Sequence, residues 1–363
     1  MKYTKKIYED VIVERSVFEK ENCATETHAM IHLADSSLLF DEQLERLHKA
    51  LQIFGEEVAG DIVMARYFLS DSANQEALVL ASSPLKCAFS CVQQPPFGEG
   101  KVALWLWCSE EGENYKHIRR AEERVAEGDS YSQTRVLLER YEKFLEGEGL
   151  NIADNCVRTW FFARDVDVNY HGIVVGRREN FETQGLTEKT HYITSTGIQG
   201  ANADYNAKVL LDTYAIGGLQ EGQVKYLYAP THLNPTYEYG VTFERGVRII
   251  YGDRSLAMIS GTASINNKGE VVHVGNIEKQ TLRMLENVKV LLNEAGMDFE
   301  NMAHAIVYLR DLADFPLVAK IFDESLPNVP RVVTLAPVCR PTWLIEMECM
   351  AVKAEDNPQF KKL

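Results

Sequence analysis

Charged residues interrupt an otherwise apolar stretch, "PRVVTLAPVCRPTWLIEMECMAV" (residues 330–352), among them Arg331 and Glu346, with Glu348 two positions further on. An arginine presents a planar fork of N–H donors that matches a carboxylate through two parallel bonds. A glutamate embedded among apolar residues has its pKa pushed toward neutrality by burial. In that state it can activate a water, or protonate an enol-ether or enamine carbon. Together the two would grip and process a small carboxylic acid. The same residues also suit a structural ion pair, or charges that alternate out to solvent from strands buried on one face. Glu348 shares the strand parity of Glu346, so periodicity does not choose between them. Cys339 stands in the turn before the glutamates and has no histidine beside it in sequence. A place in a pocket wall suits it better than covalent catalysis. Gly261 and Thr262, in "ISGTAS", offer a backbone group and a hydroxyl to a ligand. Arg158, Arg177 and Arg178 offer a second anion contact, with solvated helix charges as the simpler reading.

Composition narrows the field. The net charge of −15 would repel a phosphate backbone unless a local basic patch overrode it, and the basic runs "HIRRAEERV" and "GRRENF" are interleaved with glutamates. Nucleic acid is therefore not an expected partner. No run of eighteen apolar residues implies a membrane span, and the lysines near Met1 precede no apolar core of a signal peptide. Seven cysteines do not suggest a disulfide framework, and neither CxxC nor HExxH occurs. The expectation is a cytoplasmic protein needing neither a metal nor a cofactor.

The elements that must position these residues come from a repeat. In residues 280–315, "QTLRMLENVKVLLNEAGMDFENMAHAIVYLRDLADF", Leu282, Leu285, Val288, Leu292 and Ala295 mark one helical stripe. Gly296 stops the helix, and "AHAIVYLRD" reads as a strand. Residues 133–170 repeat the scheme, matching Gln133-Thr134 to Gln280-Thr281, Gly149 to Gly296 and Arg164-Asp165 to Arg310-Asp311. Residues 43–71 give a shorter version ending in Ser70-Asp71. A further helix and strand should follow each unit, and residues 330–352 read as two adjacent strands joined by a turn at Cys339–Thr342. The fold class is α+β, with three tandem modules over 1–110, 111–225 and 226–363, mixed sheets and helices on one face.

The third module carries enough residues to resemble a known family. The segment "MISGTASINNKGEVVHVGNIEKQTLRMLENVKVLLNEAG", followed by "VYLRDLADF", "PRVVTLAP" and "LIEMECMAV", is similar to the Rid/YjgF family, with its Arg fifteen residues before its Glu. The resemblance covers residues 234–354 well and 111–215 weakly. It implies chorismate-mutase-like modules, sheets inward and helices outward, and a trimer of short chains folded into one pseudo-threefold monomer. It also implies that Arg331 grips a substrate carboxylate, that Glu346 serves the chemistry, and that Tyr237, or alternatively Tyr239, lies near the ligand. At the position of Arg331 the second module has Thr190 or His191 and the first about Phe89, with no matching Glu. The layout is similar to that of the chorismatases, as is the Cys339-to-Glu346 spacing. Val333 stands where short family members commonly carry a cysteine.

The expected function is cofactor-free hydrolysis of an enamine or imine of a small carboxylic acid. Chorismate cleavage is the alternative within enzymes, and metabolite sensing without turnover the alternative outside them.

Overall fold

The computed structural model describes residues 1–34, 37–98 and 100–363. The chain runs β1 (Lys2–Tyr8), β2 (Val11–Phe18), β3 (Glu26–Leu33), α1 (Phe40–Glu57), β4 (Asp61–Leu69), α2 (Ser72–Ser82), β5 (Ala88–Gln93) and β6 (Val102–Ser109). It continues through β7 (Lys116–Arg124), α3 (Ser130–Gly147), α4 (Ile152–Asn155), β8 (Cys156–Ala163), α5 (Val166–Thr183), β9 (Thr194–Gln199) and β10 (Val209–Gly217). Last come β11 (Val224–Leu227), β12 (Gly246–Ile250), β13 (Arg254–Ala263), α6 (Ile277–Glu294), β14 (Met302–Leu309), α7 (Phe315–Ser325), β15 (Arg331–Leu335) and β16 (Ile345–Ala354).

Three sheets result, in the orders β1-β2-β3-β6-β4-β5, β7-β10-β8-β9 and β11-β12-β13-β16-β14-β15. Each contains the same four-strand motif: a first strand, a helix leading to a second strand, another helix leading to the second strand's parallel neighbour, and a last strand that returns antiparallel between the first strand and the second. The long helices carry the expected apolar faces. In α6, Leu285, Val288 and Leu292 are buried, whereas Leu282 is turned off the stripe and half exposed. Gly149 and Gly296 both take φ near +75°, the left-handed conformation that ends a helix without a Cβ clash.

The expectation that β15 and β16 are adjacent fails. β14 lies between them, parallel to β15 and antiparallel to β16, because a β-α-β crossover seats β15 on the outer edge. A turn therefore does not join them; the loop 336–344 spans β14 instead.

Strand parity separates two kinds of surface. In β4, Ala65, Tyr67 and Leu69 join α1 in one apolar cluster, while Arg66 faces the other sheets. Those second faces meet across the molecule. Arg66 bonds Asp212 at 3.1 Å and approaches Glu348 at 3.7 Å. Arg158 bonds Glu348 at 2.8 Å, and the Trp160 indole donates to it at 2.9 Å. His28 and His304 share a hydrogen bond at 3.0 Å. Each sheet thus contacts both others through its inner face, with helices on the opposite one.

Candidate active site

The cavity that collects the chemistry lies where β9 of the second sheet runs beside β12 and β13 of the third. Backbone and hydroxyl bonds stitch this seam. The amide of Glu244 donates to the carbonyl of Ile193, that of Ser195 to the Ser260 hydroxyl, and that of Gly261 to the Thr196 hydroxyl. Helix α5 covers one side, and the loop 336–344 with the turn at Tyr239 covers the other. The cavity volume is about 560 Å³.

Glu346 projects into this space from β16. Its side chain is 5% exposed, and among the described residues no group donates it a hydrogen bond or pairs with it within 4 Å. Desolvation, with the neighbouring Glu348 charge, raises its pKa to about 8; the fields of Arg245 and Arg158 oppose this only in part. At neutral pH it is a protonated acid. Gly261 makes room for it, since a Cβ at that position would stand 2.2 Å from Glu346 Oε1. Gly261 therefore serves by lacking a side chain, not by offering its amide, which Thr196 already occupies. Gly261→Ala should displace the carboxyl and lower turnover about tenfold or more, while shifting the melting temperature by only a few degrees. Wild-type turnover in a folded Ala variant would contradict this reading of the contact.

Arginines surround the acid. Arg177, on α5, is 2% exposed; its Nε and Nη1 donate to the hydroxyls of Thr242 and Ser195 at 3.3 and 3.2 Å, and its Nη2 is buried with no partner. Arg245, also buried, bonds the Asn234 carbonyl and lies over Tyr239 and Phe243. Arg340 donates to the Gly269 carbonyl and lies over Tyr239 and Trp343, and half-buried Arg178 completes the set. Among the described residues none of the four forms an ion pair. An unpaired buried cation is costly unless a ligand anion completes it.

Several sequence expectations are corrected here. Arg331 does not meet Glu346. Its ladder partners are Ala305 and, beyond it, Cys349, so it lies on the helix-side face, opposite to Glu346 and Glu348. There it is bound by Asp323 and the Leu326 carbonyl and lies over the Phe322 ring. Thr262 points to that face too, with its hydroxyl on the Ser260 carbonyl. Tyr237 is exposed and lines a smaller side cavity of about 310 Å³; its alternative, Tyr239, lines the main one. Arg158 and Arg177 are buried rather than solvated, the first on a strand in an ion pair with Glu348. Strand pairing matches Arg331 with Ser195 and Phe89, not with Thr190 or His191, and matches Glu346 with Leu210 and Ala103.

Cys339 does line the cavity. Burial and the nearby Glu346 push its thiol up to about 12, and a polar contact with the Tyr170 hydroxyl offsets this in part. It stays a thiol at neutral pH and is no nucleophile. Sequence reasoning missed Arg245, Arg340 and Tyr170. The signal for Arg245 was a charge opening an apolar hairpin, as at Arg331; Tyr170 gave none.

Residues 244–353, which include Glu346, Cys339 and Arg245, match the family model described as Endoribonuclease L-PSP. A RutC family protein of Saccharolobus solfataricus is 31% identical over 114 residues, covering 31% of this chain and 87% of that protein. The chain belongs to the Rid/YjgF family. A second relative is the 3-aminoacrylate deaminase RutC of Acinetobacter baylyi, 29% identical over 99 residues, 27% of this chain and 79% of that protein. The crystal structure of a chorismatase matches this Rid/YjgF chain at a TM-score of 0.64, covering 80% of this chain and 93% of that one. At 16% identity that likeness is one of fold.

Proposed function

We propose that the cavity between the second and third sheets binds a small anionic acid and cleaves it by acid catalysis, with Glu346 as proton donor and water as co-substrate. One observation carries this reading: a buried carboxyl, its pKa raised by desolvation, lines one cavity with four guanidiniums that have no carboxylate of their own. The cations hold and orient the acid, and Arg177 supplies the unbonded Nη2. Proton transfer from Glu346 to the terminal carbon of an enamine or enol ether leaves an iminium or oxocarbenium ion. Water adds to that ion, and the carboxylate of Glu346 then accepts a proton as the adduct collapses. An enamine would release ammonia and an oxo acid; an enol ether would release an alcohol and an oxo acid.

For an enamine or imine acid the supporting likeness is to the RutC relatives. For chorismate, a cyclic acid with two carboxylates, the support is the volume of about 560 Å³ and more guanidiniums than one carboxylate uses. Both substrates should be offered to the purified protein, with ammonia and pyruvate measured separately. Pyruvate from chorismate, or ammonia from 3-aminoacrylate, supports the reading and identifies the substrate; neither product, with no binding of either acid, contradicts it.

The pH profile checks the proton donor. Catalysis that uses the acid form should hold below about pH 8 and fall about tenfold per unit above it. Stability follows in the same direction. The folded state keeps a proton that the unfolded chain releases near 4.5, so stability should decline between about 4.5 and 8, and Glu346→Gln should remove that decline. A rate that rises through pH 8 would point to the carboxylate acting as base.

A further inference from the structure

The repeated arginine–aspartate pair that ends the second strand of two of the repeats has no part in the chemistry above. Its geometry shows what the arginine does. Arg164, after β8, donates to the carbonyls of Ala207, Asn202 and Asp204, fastening the loop that follows β9. Arg310, after β14, holds the corresponding loop after β15 differently. Its side chain gives one bond to that loop, from Nη2 to the Val338 carbonyl at 2.8 Å. The rest of its fork reaches into the neighbouring module, Nη1 and Nη2 bonding the two Asp167 oxygens at 3.1 and 2.8 Å. Its Nε is buried without a partner.

Arg310 does not itself line the cavity, but it joins two elements that do. Asp167 lies in the first turn of α5 and lines the cavity, and Val338 precedes Cys339 and Arg340, which line it from the other side. Where Arg164 ties a loop to its own module, Arg310 ties the ligand-facing loop to the opposite wall. Asp167 keeps 47% of its side chain exposed, so the tie is reachable by water and salt.

We infer that Arg310 is a positioning residue: its fork on Asp167 latches the loop 336–344 closed over the cavity and sets where Cys339 and Arg340 stand. Opening the latch would let a ligand pass between α5 and the loop. The inference goes beyond the proposed reaction and is tested without substrate. The probe is N-ethylmaleimide at a pH and time giving partial modification, with each cysteine peptide quantified by mass spectrometry. Cys339 reports the loop, whereas buried Cys156 and Cys349 report global unfolding.

In the wild type, raising salt should speed Cys339 modification, because the exposed part of the latch is screened. Asp167→Asn should raise its rate roughly two- to fivefold, and Asp167→Glu should restore most of the protection. Arg310→Lys, which loses the fork, should raise it about tenfold. Cys156 and Cys349 should stay unreactive throughout. Unchanged Cys339 reactivity in folded Asp167→Asn protein, or a rise shared equally by Cys156 and Cys349, would overturn the latch. Should Arg310→Lys fail to fold, the aspartate pair of variants still decides. A protein that passes this test and cleaves neither acid above would keep its latch and lose the proposed reaction.

Discussion

Glu346→Gln should lower turnover roughly a hundredfold or more while leaving substrate affinity within a few-fold of wild type. The amide keeps the shape and the position beside Gly261, and removes only the exchangeable acid proton. Binding survives because the guanidiniums of Arg177, Arg245 and Arg340 are untouched. Glu348→Gln should do the reverse. Glu348 accepts bonds from Arg158 and the Trp160 indole and lies 3.7 Å from Arg66, all buried where the sheets meet. Neutralising it strands the Arg158 guanidinium in the interior, while Arg66 keeps its bond to Asp212, a loss on the order of 3–5 kcal/mol. Denaturant unfolding and steady-state kinetics on the same two variants separate the roles. Swapped phenotypes would put the proton on the wrong glutamate, and two stable, fully active variants would remove acid catalysis from this cavity.

The second large effect concerns Arg177, the arginine proposed to grip the ligand. Arg177→Met keeps much of the side chain's length but removes the charge and the free Nη2. Affinity for a small carboxylic acid should fall roughly ten- to a hundredfold, the contribution of about 1.5–3 kcal/mol expected of a charge-assisted bond. Stability should hold or rise, because burial already disfavours this cation and pulls its pKa down. Lower affinity without lower stability distinguishes a ligand-binding arginine from a structural one. Arg331→Gln provides the comparison. Its partner Asp323 is largely exposed, so affinity should be unchanged and stability altered by less than about 1 kcal/mol. Calorimetric titration with a dicarboxylate, on both variants, reads the contrast. Weaker binding in the Arg331 variant alone would return the site to the outer face of the third sheet.

Much of the architecture was legible because the repeat carries local signals. Apolar helical stripes, glycine stops at Gly149 and Gly296, and the strands after them are all short-range. The site was legible only in part. Of the residues lining the cavity, Cys339 could be named from the turn before the glutamates, and Glu346 rather than Glu348 only from the resemblance, since both share one strand face. Arg331 could not be placed, because strand parity does not count across the loop 336–344 and an intervening β14 puts the two strands apart. Arg177 was hidden for another reason. A charge on a helix is solvated by default, and only the seam between β9 and β13, formed by residues 65 positions apart, buries it. Gly261 was singled out for its backbone, whereas in the structure its missing Cβ is what leaves room for Glu346.

The central claim is that one cavity holds both the anion and the acid. A crystal structure of the Glu346→Gln protein soaked with its slowest-turning carboxylic acid tests it most directly. The ligand carboxylate should sit within hydrogen-bond distance of Arg177 Nη2, with its reacting carbon facing the substituted side chain at position 346. A carboxylate bound instead at Arg331 on the helix side of β15, with the cavity beside Gly261 empty, would contradict it.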